Sequence, residues 1–364
     1  MFRQTRATTV VQPATEVLDS FRVGTAQPQP SVLDGVVGLA HRAEHPVGHG
    51  SQTRSVLLES FGQPFALVHR CHVPPPCHDK AEQLRSLGAE PVVLNALDAR
   101  AVRKTVDAAE ADAVVHEATA LTDARFSKNL DRTLEQTNRL RMEGTDALLG
   151  AAREAGVRRF VAQSFASMRY AREGGPVKTE DDPLDPAPVS GMRETVAAMR
   201  YLDQAVTDAG GIALRYGLFY GAANDGLIEP VRKRQFPIVG DGGGVSSFVH
   251  LDDAAAATVV ALEHEGPAIY NIVDDEPATV RKWLPVLAEA LGAKPPRHFP
   301  VWLARVFAGD PGVMLGTESR GASNAKAKRE LGWTLRYPSW RQGFAEVYAR
   351  PTADAPAQVA TAGT

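Results

Sequence analysis

From Asp79 onward, apolar and polar positions fall into two alternating periods. "DKAEQLRSLGA" predicts a short amphipathic helix ending at Gly88, and "EPVVLNALD" a strand running into a polar turn. "ARAVRKTVDAAEA" predicts a second helix and "DAVVHEATAL" a second strand. "LEQTNRLRMEGTDALLGAAREAGV" carries apolar residues at three- and four-residue spacing and predicts one long helix closed by Gly156, followed by the strand "RRFVAQSFAS". "RETVAAMRYLDQAVTDAG" and "GIALRYGLFYG" repeat the helix-strand order, and "SFVHLDDAAAATVVALEH" gives a strand end and a helix with Asp252 or Asp253 placed as its N-cap. Strands alternating with helices imply right-handed crossovers, a parallel sheet covered on both faces, and a ligand crevice at the carboxyl ends of the strands.

Residues 1–78 differ. They hold six of the ten histidines, both cysteines, eight prolines and no lysine, and they show no sustained period. An out-of-frame translation of a regular first half would look like this; so would a divergent extension that supplies an unrecognised first strand. At the other end, "TVRKWLPVLAEALGA" through "AKRELGWTLRYPSWRQGFAEVY" predicts helices around a small lobe, and residues 349–364 read as a low-complexity, disordered tail.

Composition narrows the function classes. Hydrophobic content of 44%, charged content of 23% and a formal net charge of −3 describe a globular chain with no electrostatic footprint for nucleic acid. No stretch is apolar for long enough to span a bilayer, so no membrane partner is expected. The N-terminus lacks the apolar core of a secretory signal, which places the protein in the cytoplasm. "HRCHVPPPCH", residues 69–78, offers ligand types suited to zinc, but three consecutive prolines stiffen the span between Cys71 and Cys77, and no second pair follows. No metal site is assigned.

"EGTDALLGAAREAGVRRFVAQSFAS", "ALRYGLFYG", "SFVHLDDAAAA", "YNIVDDEP" and "KRELGWTLRYPSWRQGF" occur in an order that resembles the extended short-chain dehydrogenases/reductases, the NAD-dependent epimerase/dehydratase group, over residues 79–346. The resemblance implies an α/β fold: a Rossmann-like doubly wound parallel sheet (79–221 plus 247–275) with a smaller, partly helical substrate lobe (222–246 plus 276–348), the first βα unit being doubtful. It implies NAD or NADP as cofactor, a small carbonyl, carbinol or sugar-like substrate, and compatibility with a homodimer.

Two family features are missing. No strand followed by Gly-x-x-Gly-x-x-Gly precedes residue 79; Gly35 and Gly38 in "DGVVGLAH" supply two of the three glycines only. The Tyr-x-x-x-Lys pair is also missing, with Ser190 or Gly191 near the tyrosine position and Glu194 or Thr195 near the lysine position. Hydride exchange at a carbinol needs an acid/base on the oxygen, commonly a tyrosine acidified by a nearby ammonium. The loss therefore sets a non-catalytic, nucleotide-binding regulatory protein, or a chain unable to bind dinucleotide, beside the oxidoreductase reading.

Residue by residue, the resemblance points to Ser164, then Ser167, as strand-end hydroxyls for substrate oxygen, and to Tyr170 as a phenol reaching the same crevice. Asn95 and Asp98 fall where relatives contact adenine, although helix capping accounts equally well for Asp98. Ala118 and Thr119 fall beside ribose and phosphates, and Tyr216 and Gly217 beside the nicotinamide. Arg215 reads as half of a buried ion pair, His250 as a hydrogen-bonded scaffold residue, and "REGGPVKTEDDP" as a polar loop over the crevice.

Overall fold

The computed structural model describes residues 89–121, 127–221 and 226–348, together with Leu84–Arg85 and the backbone of three strands at 6–10, 36–41 and 65–69. These three, β1 (Arg6–Val10), β2 (Val36–His41) and β3 (Phe65–His69), lie inside one sheet with β4 (Ala89–Val93), β5 (Ala113–His116), β6 (Arg159–Phe165), β7 (Ile212–Tyr216) and β10 (Ala268–Ile272). The spatial order is β10-β7-β6-β5-β1-β2-β3-β4. Every pairing is parallel except those of β2, which runs antiparallel between β1 and β3. The doubtful first unit thus contributes three strands to the sheet, as the reading of a divergent extension allows. "RATTV", "VVGLAH" and "FALVH" are short runs without the alternation that betrays a half-buried strand, so periodicity alone passes over them. Gly38 lies within β2 and not in a phosphate loop.

Helices cover both faces. α1 (Ala99–Ala109), α3 (Thr145–Glu154) and α4 (Arg193–Asp208) pack Val102, Val106, Leu148, Leu202 and Val206 against Val114, Phe160 and Ala162. On the opposite face α5 (Leu251–Leu262) packs Ala254, Ala257 and Ala261 against Val115, Val161 and Leu214. Phe160 and Val161 face opposite layers because side chains alternate along a strand. Trp333 joins the α5 layer, so the segment after α8 (Ala325–Leu331) returns to the sheet.

Three local features depart from the sequence reading. The long helix is interrupted: α2 (Glu135–Arg139) passes through a π-helical turn, Leu140–Gly144, before α3. Such turns are rare and concentrate at functional sites. "GIALRYGLFYG" is two strands, β7 and β8 (Leu218–Tyr220), and β8 pairs with β9 (Phe248–His250). Gly217 lies at their junction, where a Cβ would sit 2.7 Å from the Ser247 carbonyl oxygen, so the backbones approach more closely than a side chain permits. Finally, α5 is capped by His250, whose ring accepts from the Asp252 N–H at 3.1 Å. Neither aspartate is the cap. Asp253 instead accepts the N–H groups of Arg336 and Tyr337 at 2.7 and 2.9 Å.

Beyond β8, Tyr220, Phe248, Trp283, Trp340 and Phe344 form a second core with α6 (Val280–Ala290) and α9 (Trp340–Tyr348). α7 (Val301–Thr317), kinked at Gly309 and within the span expected to be helical, runs alongside and exposes Trp302 and Phe307.

Candidate active site

The strand order reverses between β5 and β1, and ligands of doubly wound sheets bind outside the carboxyl ends at such a switch. Among the described residues, the segments that leave the sheet there are 117–121 after β5 and 166–170 after β6. The first is fixed from two sides: Ala118 N–H donates to His116 Nδ1 at 3.4 Å, and Ala120 N–H to Thr137 Oγ1 at 3.0 Å. Since His116 Nδ1 accepts, its Nε2 carries the proton and donates to Thr145 Oγ1 at 3.1 Å, and Thr145 donates on to the Arg141 carbonyl at 2.7 Å. Complete burial holds the His116 pKa down at about 4, so the ring is neutral near pH 7. Glu117 turns back towards α5 and accepts from the Tyr216 and Thr258 hydroxyls.

The segment after β6 contains Met168 at φ 57, a left-handed conformation that costs a non-glycine residue about 1–3 kcal/mol and clusters at functional sites. Ser167, just before it, is buried, and its hydroxyl makes no hydrogen bond among the described residues. Ser164 is differently placed. It shares the inner face of β6 with Phe160 and Ala162, and its Oγ accepts from Arg169 Nη1 at 2.9 Å.

Behind Ser164 lies a group of buried charges. Asp203 Oδ2, on α4, accepts from Arg169 Nη2 and from Arg215 Nε, the latter at 2.8 Å. Arg215 also donates to the Tyr170 hydroxyl at 3.1 Å, and that hydroxyl donates to Asn271 Oδ1 at 2.8 Å. Tyr170 is 3% exposed, with its oxygen tied on both sides within this scaffold, and burial raises its pKa above the ordinary phenol value. Arg141, on the π turn, is 6% exposed, and its Nη1 has no hydrogen-bond partner. One turn earlier, Asn138 Nδ2 donates to Thr195 Oγ1 on α4 at 3.1 Å, while Asn138 Oδ1 is buried without a partner.

α4 decides the acid/base question. Ser190 and Glu194, near the expected tyrosine and lysine positions, face solvent. In the alternative register Gly191, at φ 80, has no side chain, and Thr195 is buried, accepting from Asn138 Nδ2 and donating its N–H to Asp131 at 2.8 Å. Tyr201 is on the outer surface, bonded to Asp146 at 2.6 Å. No phenol-ammonium pair exists on this helix.

The other sequence candidates have structural ties. Asn95 Oδ1 accepts the Leu97 N–H, and Asp98 caps α1 by accepting from Arg100 and Ala101. Tyr216 accepts the Ala166 N–H on its carbonyl, and Gly217 N–H donates to Ile272. Thr119 and Ala118 are buried in the crevice segment. Arg215 forms the buried ion pair expected of it. His250 stacks on Tyr337 at 4.0 Å, and burial lowers its pKa to about 4. The loop over the crevice is pinned by Arg172 to Asp185 and Glu318 at 3.2 and 2.9 Å, and by Lys178 to Asp182 at 3.2 Å. Residues 70–78 of "HRCHVPPPCH", and the segment joining β1 to β2, lie outside the described residues.

The described part fits a dinucleotide at the switch. Ala118 and Ala120 carry no atoms beyond Cβ after β5, so a ring or ribose can lie against backbone there. The unpartnered Asn138 Oδ1 is an acceptor of the kind that ribose hydroxyls or a carboxamide satisfy.

Comparison with known proteins adds three findings. The model of the family described as NAD dependent epimerase/dehydratase matches residues 50–273, so the likeness begins upstream of residue 79 and includes β3. A Streptomyces protein named 3-diazoavenalumate denitrifying reductase is 44% identical over 261 residues, 70% of this chain and 85% of its own length. A UDP-glucose 4-epimerase of Corynebacterium glutamicum is 29% identical over 232 residues, 56% of this chain, which spans 66% of that relative. In fold, the chain resembles the dTDP-glucose 4,6-dehydratase of Streptomyces venezuelae, solved with NAD bound (TM-score 0.57, 22% identity, 73% of this chain and 82% of that one). It also resembles the UDP-glucose 4-epimerase of Thermotoga maritima (TM-score 0.57, 19% identity, 72% and 84%). No helix among the described residues is long and apolar enough to cross a membrane.

Proposed function

The chain belongs to the NAD-dependent epimerase/dehydratase family, and from that premise we propose that it is an NAD(P)H-dependent reductase whose hydride acceptor is a diazo-bearing carbon and not a carbonyl. The observation that carries this reading is the absence of a phenol-ammonium pair from α4 and the turn before it, where Ser190 and Glu194 are exposed and Thr195 is buried.

A carbonyl that accepts hydride becomes an alkoxide and must be protonated, which is the task of a tyrosine with an ammonium beside it. A diazonium carbon makes no such demand. Hydride forms the new C–H bond, the C–N bond breaks with its electron pair leaving on nitrogen, and dinitrogen departs. Ar–N₂⁺ and NAD(P)H thus yield Ar–H, N₂ and NAD(P)⁺, with no proton transferred. The 44% identical relative is named for the reduction of a diazo compound with loss of nitrogen, which supports the same reading.

The reduced nicotinamide supplies the hydride when it is bound. The chain's own residues orient and enclose: segment 117–121 is held by His116 and Thr137, Asn138 offers its free acceptor, and Ser167 offers a hydroxyl at the end of β6.

The test is single-turnover incubation with 3-diazoavenalumate and C4-deuterated NADPH or NADH. One N₂ per nucleotide oxidised, with deuterium on the carbon that bore nitrogen, is the expected result. Reduction of ketones without diazo turnover would defeat the proposal. Saturable nucleotide binding with no turnover of either class would favour the regulatory alternative.

A further inference from the structure

The buried charges behind Ser164 do not balance. Arg141, Arg169 and Arg215 are each at most 6% exposed, and among the described residues the carboxylate buried with them is Asp203. Glu180 approaches from the Arg215 side, half-buried and accepting the Asn271 N–H at 2.7 Å; with it included, cations still outnumber carboxylates. His116 and Tyr170 are neutral and supply no negative charge. Asp203 Oδ2 takes both Arg169 and Arg215; its charge also reaches Arg141, but no hydrogen bond joins the two, and one carboxylate shared among three guanidiniums leaves a surplus cation at Arg141. An arginine stays charged even where burial and the Arg169 guanidinium bring its pKa down to about 10. Burying an unpaired charge costs several kcal/mol, so a site of this kind is completed by an anion from elsewhere.

The position of Arg141 says which anion. It stands one turn beyond Asn138, on the helix that fixes segment 117–121, and near the Ser164 end of β6. That is the β5–β6 side of the crevice. A dinucleotide pyrophosphate is held by a glycine-rich turn at a helix N-terminus, a setting that the π turn carrying Arg141, in the middle of a continuous helical segment, does not provide.

We propose that the Arg141 guanidinium binds a carboxylate of the substrate at the reacting end of the crevice, so that the substrate class is an organic carboxylate. The assignment deepens the reductase reading and rests on it for the orientation of the crevice. A planar fork presenting a free Nη1 matches a carboxylate oxygen, and Arg169, held to Ser164 and Asp203, adds a second positive charge behind it. Arg141 is here a substrate-binding residue and takes no proton.

The experiment is equilibrium titration of the full chain, saturated with NADPH or NADH, using 4-hydroxycinnamate and its methyl ester as probes. The acid is expected to bind wild type about tenfold or more tightly than the ester, the value of a charge-assisted pair. R141Q should abolish that preference, and R141K, which keeps the charge but loses the fork, should retain part of it. Nucleotide affinity of R141Q should stay within about twofold, since a charge-assisted pair would register about tenfold.

Three results would overturn the assignment: no acid preference in wild type, an undiminished preference in R141Q, or a loss of nucleotide affinity in R141Q equal to the loss for the acid. The last would give the guanidinium to a cofactor phosphate. If R141Q does not fold, wild type and R141K still decide, because unequal preference between them is required. Dinitrogen release is scored separately. Its absence with the acid preference intact defeats only the diazo reading, and the converse defeats only this one.

Discussion

Asp203→Asn tests the buried charge group most directly. Its carboxylate accepts from two guanidiniums, Arg215 at 2.8 Å and Arg169, with all three side chains at most 5% exposed. The amide keeps the size and one acceptor oxygen but removes the one negative charge at the centre. Breaking a buried pair from one side costs about 3–5 kcal/mol, because the cations left behind keep their desolvation penalty. At about 2 °C per kcal/mol for a chain of this size, the melting temperature should fall by about 6–10 °C. Arg215→Met makes the comparison sharp. It leaves Asp203 paired with Arg169, reduces the surplus positive charge, and forfeits the hydrogen bond to Tyr170, for an expected loss of about 1–2 kcal/mol. Thermal and urea melts followed by circular dichroism measure both. If Asp203→Asn melted within about 1 °C of wild type, or if Arg215→Met cost as much, the charge accounting would be wrong.

Four further outcomes follow from the same geometry. Ser164→Ala should cost about 1 kcal/mol of stability by taking an acceptor from Arg169, whereas Ser167→Ala should leave the melting temperature alone and lower kcat/KM; the reverse assignment of effects would restore Ser164 as the crevice hydroxyl. Tyr170→Phe should destabilise by about 1–2 kcal/mol through the stranded Arg215 and Asn271 groups, with kcat unchanged, and a large loss of kcat would make the phenol catalytic after all. His116 is held neutral, with a folded pKa of about 4 against an unfolded value near 6.5. The unfolded chain therefore binds the proton first, and stability is lost as pH falls through that window, by up to about 3 kcal/mol relative to His116→Gln, which chemical denaturation at stepped pH would read. Gly217→Ala would set its Cβ 2.7 Å from the Ser247 oxygen and should cost about 1–3 kcal/mol without altering nucleotide affinity per folded molecule, as titration of the soluble fraction would show.

Much of the sheet and its covering helices was legible because each element shows one buried face. Phe160 and Ala162 alternate with Val161, and Val102 and Val106 repeat at helical spacing. What escaped notice was of three kinds. The strands of residues 1–78 are too short and too uniform in polarity to show a period. The π turn changes hydrogen bonding without changing composition, so "LRMEGT" reads as ordinary helix. The N-cap of α5 fell to His250 because both aspartates that follow were claimed elsewhere, Asp253 by the distant backbone of Arg336 and Tyr337 and Asp252 by the Arg336 side chain. That competition is invisible until the chain is folded.

Arg141 is the most instructive omission, because its signal was present. Leu134, Arg141 and Leu148 repeat every seven residues, so an arginine occupies the stripe that the helix must bury, and all three are buried. Its neighbour Arg139 lies about 200° around the helix and pairs with Glu143 at 2.8 Å in solvent, so the helix could not turn to expose both arginines. A charge forced onto a core stripe violates the pattern that the surrounding residues obey, and a fold tolerates such a violation where the site is used. The same turn carries the π-helical hydrogen bonding, which rotates the downstream helix relative to α2 and lets Thr145 reach both the Arg141 carbonyl and His116. Local distortion and buried charge therefore coincide at one residue, beside a helix from which the phenol and ammonium are missing. If the acid preference and dinitrogen release are both measured, the missing phenol-ammonium pair and the buried Arg141 become two sides of one design, a fixed cation holding an anionic substrate in a reaction that moves no proton.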